Sequence, residues 1–151
     1  MEFVPIIAGV GLTAALVALA VIDLRTYRLP NVITLPLAGA GLLYAGFWQG
    51  AWVDSLIGMA VGYGAFVAVE LLYKRVRGRA GLGRGDAKLL AAGGAWLGWA
   101  ALPYVVLVGS GSAIVMLLLL RERMTDAAGR LAFGPFLALG IGAVWWGRLL
   151  A

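Results

Sequence analysis

Long apolar runs, each close to the length of a membrane-crossing helix, divide this chain from end to end. Such a helix needs roughly 20 mainly apolar residues. Hydrophobic residues make up 63% of the 151 positions and charged residues only 13%, which leaves too little polar surface for a water-soluble globule. We therefore predict an all-α polytopic membrane protein of about six transmembrane helices, at about 3–22, 31–48, 54–73, 87–101, 103–120 and 133–150.

Two local patterns predict how these helices turn and pack. Only Leu102 and Pro103 separate the fourth and fifth runs, and proline disfavours helix in the residue before it, so we expect a hairpin at Pro103. Glycines spaced four apart, Gly58 with Gly62 and Gly94 with Gly98, predict close helix packing, because small residues let helix backbones approach each other in lipid.

The basic residues lie in alternating connections between the apolar runs, while the turns near 49–53 and 102–103 contain none. The positive-inside rule places basic connections in the cytoplasm, and hence both termini outside. The formal charge of +5 is therefore interpreted as topology, with no nucleic-acid partner. Lys88 lies on the cytoplasmic side and Arg148 is the exception near an outer end. Ten of the 12 basic residues follow this pattern: Arg25, Arg28, Lys74, Arg75, Arg77, Arg79, Arg84, Arg121, Arg123 and Arg130.

The chain contains neither cysteine nor histidine. Without them, disulfides, thiol nucleophiles, histidine-dependent catalysis, and cysteine- or histidine-bound metals are excluded. Carboxylates are then the main candidates for acid–base chemistry. Five of the seven acids have ordinary interpretations: Glu70 is expected to pair with Lys74 on the surface of the third helix, and the others lie at predicted outer ends or in a basic connection, namely Glu2, Asp54, Glu122 and Asp126.

The two remaining acids, Asp23 and Asp86, are predicted at the same membrane depth. Asp23 ends the first helix and Asp86 begins the fourth, both at the cytoplasmic boundary. Structural roles are open for each: Asp86 as a helix N-cap or a favourable charge at the positive helix end, and Asp23 as a partner of Arg25 or Arg28. Two carboxylates brought together tend to share one proton, so that one acts as base and the other as acid.

Three glycines alternate before the second aspartate, in the segment Gly81-Leu82-Gly83-Arg84-Gly85-Asp86. Glycine permits strained dihedrals and a close backbone approach, which suits a loop that admits an extended peptide. Gly83 and Gly85 are therefore candidates for substrate binding or loop support, and Lys88 for orienting Asp86 or extending its charge towards the membrane surface. A phosphate-binding loop is the competing interpretation, but the Walker pattern is missing.

These residues resemble a known family. Gly83-Arg84-Gly85-Asp86 is a G-x-G-D motif, and its continuation closely resembles the same region of bacterial prepilin peptidases, members of the type IV leader peptidase family of intramembrane aspartyl proteases; it reads AKLLAAGGAWLGW. Asp23 and the turn Leu29-Pro30-Asn31 resemble the family's first aspartate and the turn after it, although Asn31 stands where an aspartate is common. Phe133-Gly134-Pro135-Phe136 resembles a further signature, so the likeness extends roughly from Asp23 to Gly140.

The resemblance implies an endopeptidase of the bacterial inner (plasma) membrane, with Asp23 and Asp86 as the catalytic pair. It would remove the leader from type IV prepilins or type II secretion pseudopilins at the cytoplasmic face, with the substrate helix and membrane lipids as partners and without a cofactor. Many members also carry a cytosolic domain with zinc-binding cysteines, associated with N-methylation. The absence of cysteine, and of a soluble segment of that size, predicts a single transmembrane peptidase domain over 1–151 without zinc or methyltransferase activity.

Two other functions compete with proteolysis. Intramembrane carboxylates commonly bind ions, so Asp23 and Asp86 would serve a small ion or proton transporter. Ion sites usually lie near the membrane midplane, however, whereas both aspartates lie at predicted helix ends. A non-catalytic pilus assembly factor is the third possibility, and an intact pair of acids gives it no support.

Overall fold

Six α-helices make up the part of the chain that the computed structural model describes, residues 2–78, 84–124 and 131–151. The predicted all-α class is confirmed, and each predicted apolar run corresponds to a helix. A π-helical turn at Tyr44–Trp48 continues α2, and a 3-10 turn at Trp99–Ala101 leads into α5. In chain order the helices are α1 (Phe3–Thr26), α2 (Asn31–Leu43), α3 (Trp52–Arg77), α4 (Arg84–Leu97), α5 (Leu102–Met124) and α6 (Gly134–Leu150).

The outer helices have the length and the apolar surface of membrane spans. Exposed apolar side chains cover the outward faces of these stretches: Phe3, Phe47 and Leu118 are 74%, 79% and 81% exposed. This exposure suits contact with lipid. The chain is therefore an integral membrane protein. In the described ranges α6 is a shorter apolar helix, and four stretches are long enough to cross a membrane: Phe3–Thr26, Asn31–Trp48, Trp52–Arg77 and Trp99–Leu120.

Helix α4 lies at the centre of the bundle. It has 14 residues, and every residue from Leu89 to Leu97 is buried. It packs against α2, α3 and α6, so its apolar residues contact protein instead of lipid. At 1.5 Å per residue it is too short for a full crossing of the membrane. Asp86 lies in its first turn.

The turn between α4 and α5 lies earlier than predicted. The expected hairpin at Pro103 is wrong: α4 ends at Leu97, and Gly98 adopts a φ of 79°, a left-handed value that favours glycine. Pro103 lies in the first turn of α5. Its fixed φ suits a helix there, and the N–H that proline lacks would have no hydrogen-bond partner within the helix.

Glycines bring α3 and α4 into backbone contact. A side chain at Gly94 would overlap the carbonyl oxygen of Gly58, and a Cβ at Gly62 would lie 2.7 Å from the carbonyl oxygen of Leu90. The close packing predicted for Gly58, Gly62 and Gly94 is confirmed. These contacts run antiparallel along the two helices, so the end of α3 meets the beginning of α4.

Helix α6 packs antiparallel to α1. Near the start of α1, Gly9 leaves room for the ring of Trp145, and at the other end the first residue of α6, Gly134, contacts Asp23. On its other side, Gly140 of α6 meets the backbone of Val105 in α5. This packing holds the beginning of α6 against the end of α1, where the first aspartate lies.

Candidate active site

Asp23 lies in the last turn of α1 and is 5% exposed. Its Oδ2 accepts a hydrogen bond of 2.9 Å from the backbone N–H of Gly134, the first residue of α6. The negative end of α1 alone would disfavour an anion here, but the positive end of α6 favours one. The beginning of α6 therefore supplies Asp23 with a hydrogen-bond donor that its own helix does not provide.

The backbone at Asp23 also ends the helix. Tyr27 adopts a φ of 54° and its N–H bonds to the carbonyl oxygen of Asp23 at 2.8 Å, a left-handed helix cap. No ion pair joins Asp23 to Arg25 or Arg28 among the described residues, so the structural role considered for Asp23 from the sequence is not observed. The carboxylate instead points into the bundle.

Asp86 is the third residue of α4 and is partly buried. Desolvation by burial and, as the smaller cause, the negative charge of Asp23 together raise the pKa of its carboxyl to about 7. The structure thus brings the two aspartates within electrostatic range of each other. A carboxyl with a pKa near neutrality holds its proton for much of the time at pH 7, so Asp86 can serve as a proton donor there.

Two contacts fasten the beginning of α4 to the connection between α1 and α2. Gly85 lies against Leu29, since a Cβ on the glycine would be 3.0 Å from the Cβ of Leu29. Lys88 Nζ donates a 2.7 Å hydrogen bond to Oδ1 of Asn31 at the start of α2. Both candidates therefore lie beside Asp86 and contact the residues that lead into α2, while their predicted role in substrate binding or loop support stays a prediction. Gly83, the remaining candidate, lies outside the described residues.

Glu70 differs from its prediction. The expected surface pair with Lys74 is wrong, because the Glu70 side chain is 11% exposed and its Oε2 lies 3.6 Å from Nε of Arg84. The spacing of four residues along a helix predicted that Lys74 is within reach of Glu70, but in the structure the Glu70 side chain faces α4. The buried residues of α3 share this direction, and they are Ser55, Gly58, Gly62 and Glu70.

Sequence reasoning assigned no role to Gly134, although its segment Phe133-Gly134-Pro135-Phe136 was noted. The signal was present as a glycine followed by proline at the start of an apolar run, a pattern typical of a helix beginning. Its partner Asp23 lies 111 positions earlier, so the contact depends on the packing of α6 against α1.

The described acidic residues offer no group of three that is close enough to hold a metal ion. What the site does contain is two carboxyls, one at the end of α1 beside the start of α6 and one in the first turn of α4. Such a pair can activate water and protonate a carbonyl oxygen.

Comparison with known proteins agrees with the geometry. The model of the type IV leader peptidase family matches residues 10–120. A prepilin leader peptidase/N-methyltransferase of Burkholderia pseudomallei (strain 1026b) is 45% identical over 139 residues, covering 89% of this chain and 44% of that protein. Proteins of the same name are 44% identical over 133 residues in Pectobacterium carotovorum subsp. carotovorum, covering 85% of this chain and 47% of that protein, and 42% identical over 145 residues in Escherichia coli (strain K12), covering 91% and 63%.

The chain spans about half the length of the curated relatives that it matches. No solved structure matches it.

Proposed function

We propose, since the chain belongs to the type IV leader peptidase family, that it is an aspartic endopeptidase in which Asp23 and Asp86 form the catalytic pair. The observation that carries this proposal is the electrostatic coupling of the two carboxyls: the charge of Asp23 helps to raise the pKa of Asp86. The hydrogen bond that the Gly134 N–H donates to Asp23 supports different roles in proton transfer for the two carboxyls. Residues 1–151 act in this proposal as a single transmembrane peptidase unit.

In the proposed mechanism, Asp23 is the base and Asp86 the acid. Asp23 accepts a proton from water as the water oxygen bonds to the scissile carbonyl carbon, and Asp86 donates its proton to the carbonyl oxygen. The resulting gem-diol collapses when one hydroxyl returns a proton to Asp86 and Asp23 passes its proton to the leaving nitrogen, so that the C–N bond breaks. The apparent pKa values of this cycle belong to the pair.

The proposed substrates are prepilins or pseudopilins, from which the enzyme removes the leader peptide. Support comes from the relatives, which are named prepilin leader peptidases. Their name also includes N-methyltransferase, but the matched part is 44% of one of these relatives and 63% of the other, and the two carboxyls described above are assigned to proteolysis. We assign no methyl transfer to these 151 residues.

The proposed location is a bacterial inner membrane, with the aspartates near the cytoplasmic face and both termini outside. Basic residues support this orientation, because they gather at the aspartate end of the bundle, at the ends of α1 and α3 and the beginning of α4. Arg148 lies at the opposite end, in the last turn of α6. Cytoplasmic ends of spans carry the excess of Lys and Arg.

The test is cleavage of a purified prepilin, with leader removal followed by mass spectrometry. Asp23→Asn and Asp86→Asn are each expected to lower the rate by about 10³-fold, since each removes one proton-transfer group. Asp54→Asn is the matched control: Asp54 is exposed in the first turn of α3 at the other end of the bundle, and its loss should leave the rate unchanged. Wild-type cleavage by either site variant, or ion flux into liposomes that depends on both aspartates without substrate, contradicts the proposal.

A further inference from the structure

Glu70 is a buried carboxylate on the face of α3 that packs against α4, and the proposed mechanism does not use it. Its Oε2 has no hydrogen-bond partner among the described residues, and the cation nearest to it is the guanidinium of Arg84, 3.6 Å away. The pair is asymmetric, because the side chain of Arg84 is 64% exposed and that of Glu70 only 11%. A buried carboxylate therefore holds an exposed cation at the edge of the bundle.

Arg84 is the first residue of α4, and Asp86 follows two residues later. Two residues advance a helix by about 3 Å, so a constraint on Arg84 acts directly on the backbone of Asp86. The first turn of a helix has no preceding turn to hold its N–H groups, and it frays unless other contacts fix it. The position of Asp86 consequently depends on what holds this turn.

The first turn of α4 is held from two sides. On one side, Gly85 contacts Leu29 and Lys88 donates to Asn31. On the other, the backbone contacts of Gly94 and Gly62 between α3 and α4 lie further along α4, and the ion pair of Glu70 with Arg84 joins the first turn itself to α3. Without this pair, the first turn would lose its charged link to α3.

We propose that Glu70 is a positioning residue, which holds the first turn of α4 through Arg84 so that Asp86 faces Asp23. This inference rests on the proposed peptidase function for its effect on catalysis. A displacement of about 1 Å at a reacting group is sufficient to slow catalysis strongly. A partly exposed ion pair adds little to global stability, so we expect its loss to affect the rate more than the fold.

The first test is kinetic. Glu70→Gln keeps the shape of the side chain and leaves Arg84 solvated, and it should lower kcat by about tenfold with KM within about twofold of wild type. Arg84→Gln should be more harmful, because it leaves a buried carboxylate unpaired. Arg84→Lys keeps the cation and should retain most of the activity.

A double variant and a control distinguish the loss of the Glu70–Arg84 ion pair from a general effect of removing a charge. In Glu70→Gln with Arg84→Gln no buried charge is left, so its kcat should return to that of Glu70→Gln alone, in contrast to the sum expected for independent sites. Arg75→Gln removes an exposed charge from the last turn of α3 and should cleave within about twofold of wild type. Additive losses, or an equal loss in Arg75→Gln, contradict the inference.

The second test does not depend on cleavage. The amides of Lys88, Leu89 and Leu90 bond to the carbonyls of the first turn of α4, and their hydrogen exchange should be faster in Glu70→Gln than in wild type, while exchange near Leu97 stays the same. Unchanged exchange overturns the inference whatever the activity, and so does faster exchange with wild-type kcat. If wild-type enzyme removes no leader, the proposed function fails and the exchange result alone decides whether Glu70 holds this turn.

Discussion

Asp86 is the residue whose ionisation should set the upper pH limit of activity. Its pKa is raised to about 7 by burial and by the charge of Asp23, so the carboxyl keeps its proton below that pH and loses it above. If Asp86 is the acid, kcat/KM should fall by about tenfold per unit at pH values above 7. Cleavage rates measured across this range at fixed ionic strength give the profile. A rate that stays level well above neutrality would exclude Asp86 as proton donor.

Gly134 combines two requirements at one position, a backbone N–H for Asp23 and the absence of a side chain. A Cβ here would lie 2.5 Å from Oδ2 of the aspartate, too close without moving the carboxylate. Gly134→Ala should therefore lower kcat by about tenfold or more, as measured with a purified prepilin. Gly147→Ala is the matched control in the same helix, since a Cβ there meets nothing within 4 Å. Equal activity of the two variants would show that Asp23 tolerates the displacement.

Residue chemistry and predicted membrane depth together single out Asp23 and Asp86 as the candidate pair, because a chain without histidine or cysteine leaves carboxylates to carry acid–base chemistry. They do not predict which residues orient the pair. Gly134 reaches Asp23 through the packing of α6 on α1, and Glu70 reaches Arg84 through that of α3 on α4. Each depends on which helices are neighbours, and hydropathy does not specify that.

At the scale of elements, the contact between α3 and α4 sets how closely the site helix can approach its neighbour. A side chain at Gly94 would overlap the carbonyl of Gly58, and a backbone atom cannot move away as a flexible side chain can. Gly94→Ala should lower the free energy of unfolding by about 1–3 kcal/mol, as seen in thermal unfolding in detergent. Gly64→Ala, where a Cβ on α3 meets nothing within 4 Å, should leave stability unchanged. A Gly94→Ala protein as stable as wild type would mean that the two helices separate at little cost.

The existence of the helices could be predicted from apolar runs, but their ends could not. Helix α3 continues to Arg77, beyond the predicted end at about 73, because basic side chains are favourable in the last turn of a helix. Helix α4 ends before Gly98 although the apolar run continues through Ala101. The length of an apolar run reflects the thickness of the membrane, whereas helix caps and the dihedral angles of glycines determine where each helix ends.

The segment after Asp86 illustrates the same division between pattern and fold. Its continuation resembles a family motif, and in the structure its residues have packing roles: the carbonyl of Ala95 accepts a hydrogen bond from Ser55, and Trp96 stacks on Tyr44 and donates to the carbonyl of Leu37. The motif therefore describes a helix buried on all sides. Its likeness to the family indicates a shared core as much as a shared reaction.

At the scale of the whole molecule, the two ends of the bundle differ in chemistry. One end carries the aspartates and most of the described basic residues. The other carries a cluster of aromatic rings, Tyr44, Trp96 and Trp145, whose centroids lie 5.3–5.5 Å apart. These rings join the π-helical turn after α2 to α4 and α6 at the end remote from the aspartates, where they line a cavity of about 320 Å³. In the proposed function a peptide would reach the pair from the basic end, because both aspartates lie there.

This polarity predicts the orientation of the protein in its membrane. The chain has no cysteine, so a single introduced cysteine is its only thiol. Val76, 74% exposed near the end of α3, lies at the basic end, and Ala151 follows α6 at the other. In intact spheroplasts a membrane-impermeant maleimide should label Ala151→Cys and spare Val76→Cys, because the excess of basic residues faces the cytoplasm; lysis should expose both. The reverse labelling pattern would place the aspartates at the outer face, where cytoplasmic removal of a leader is impossible.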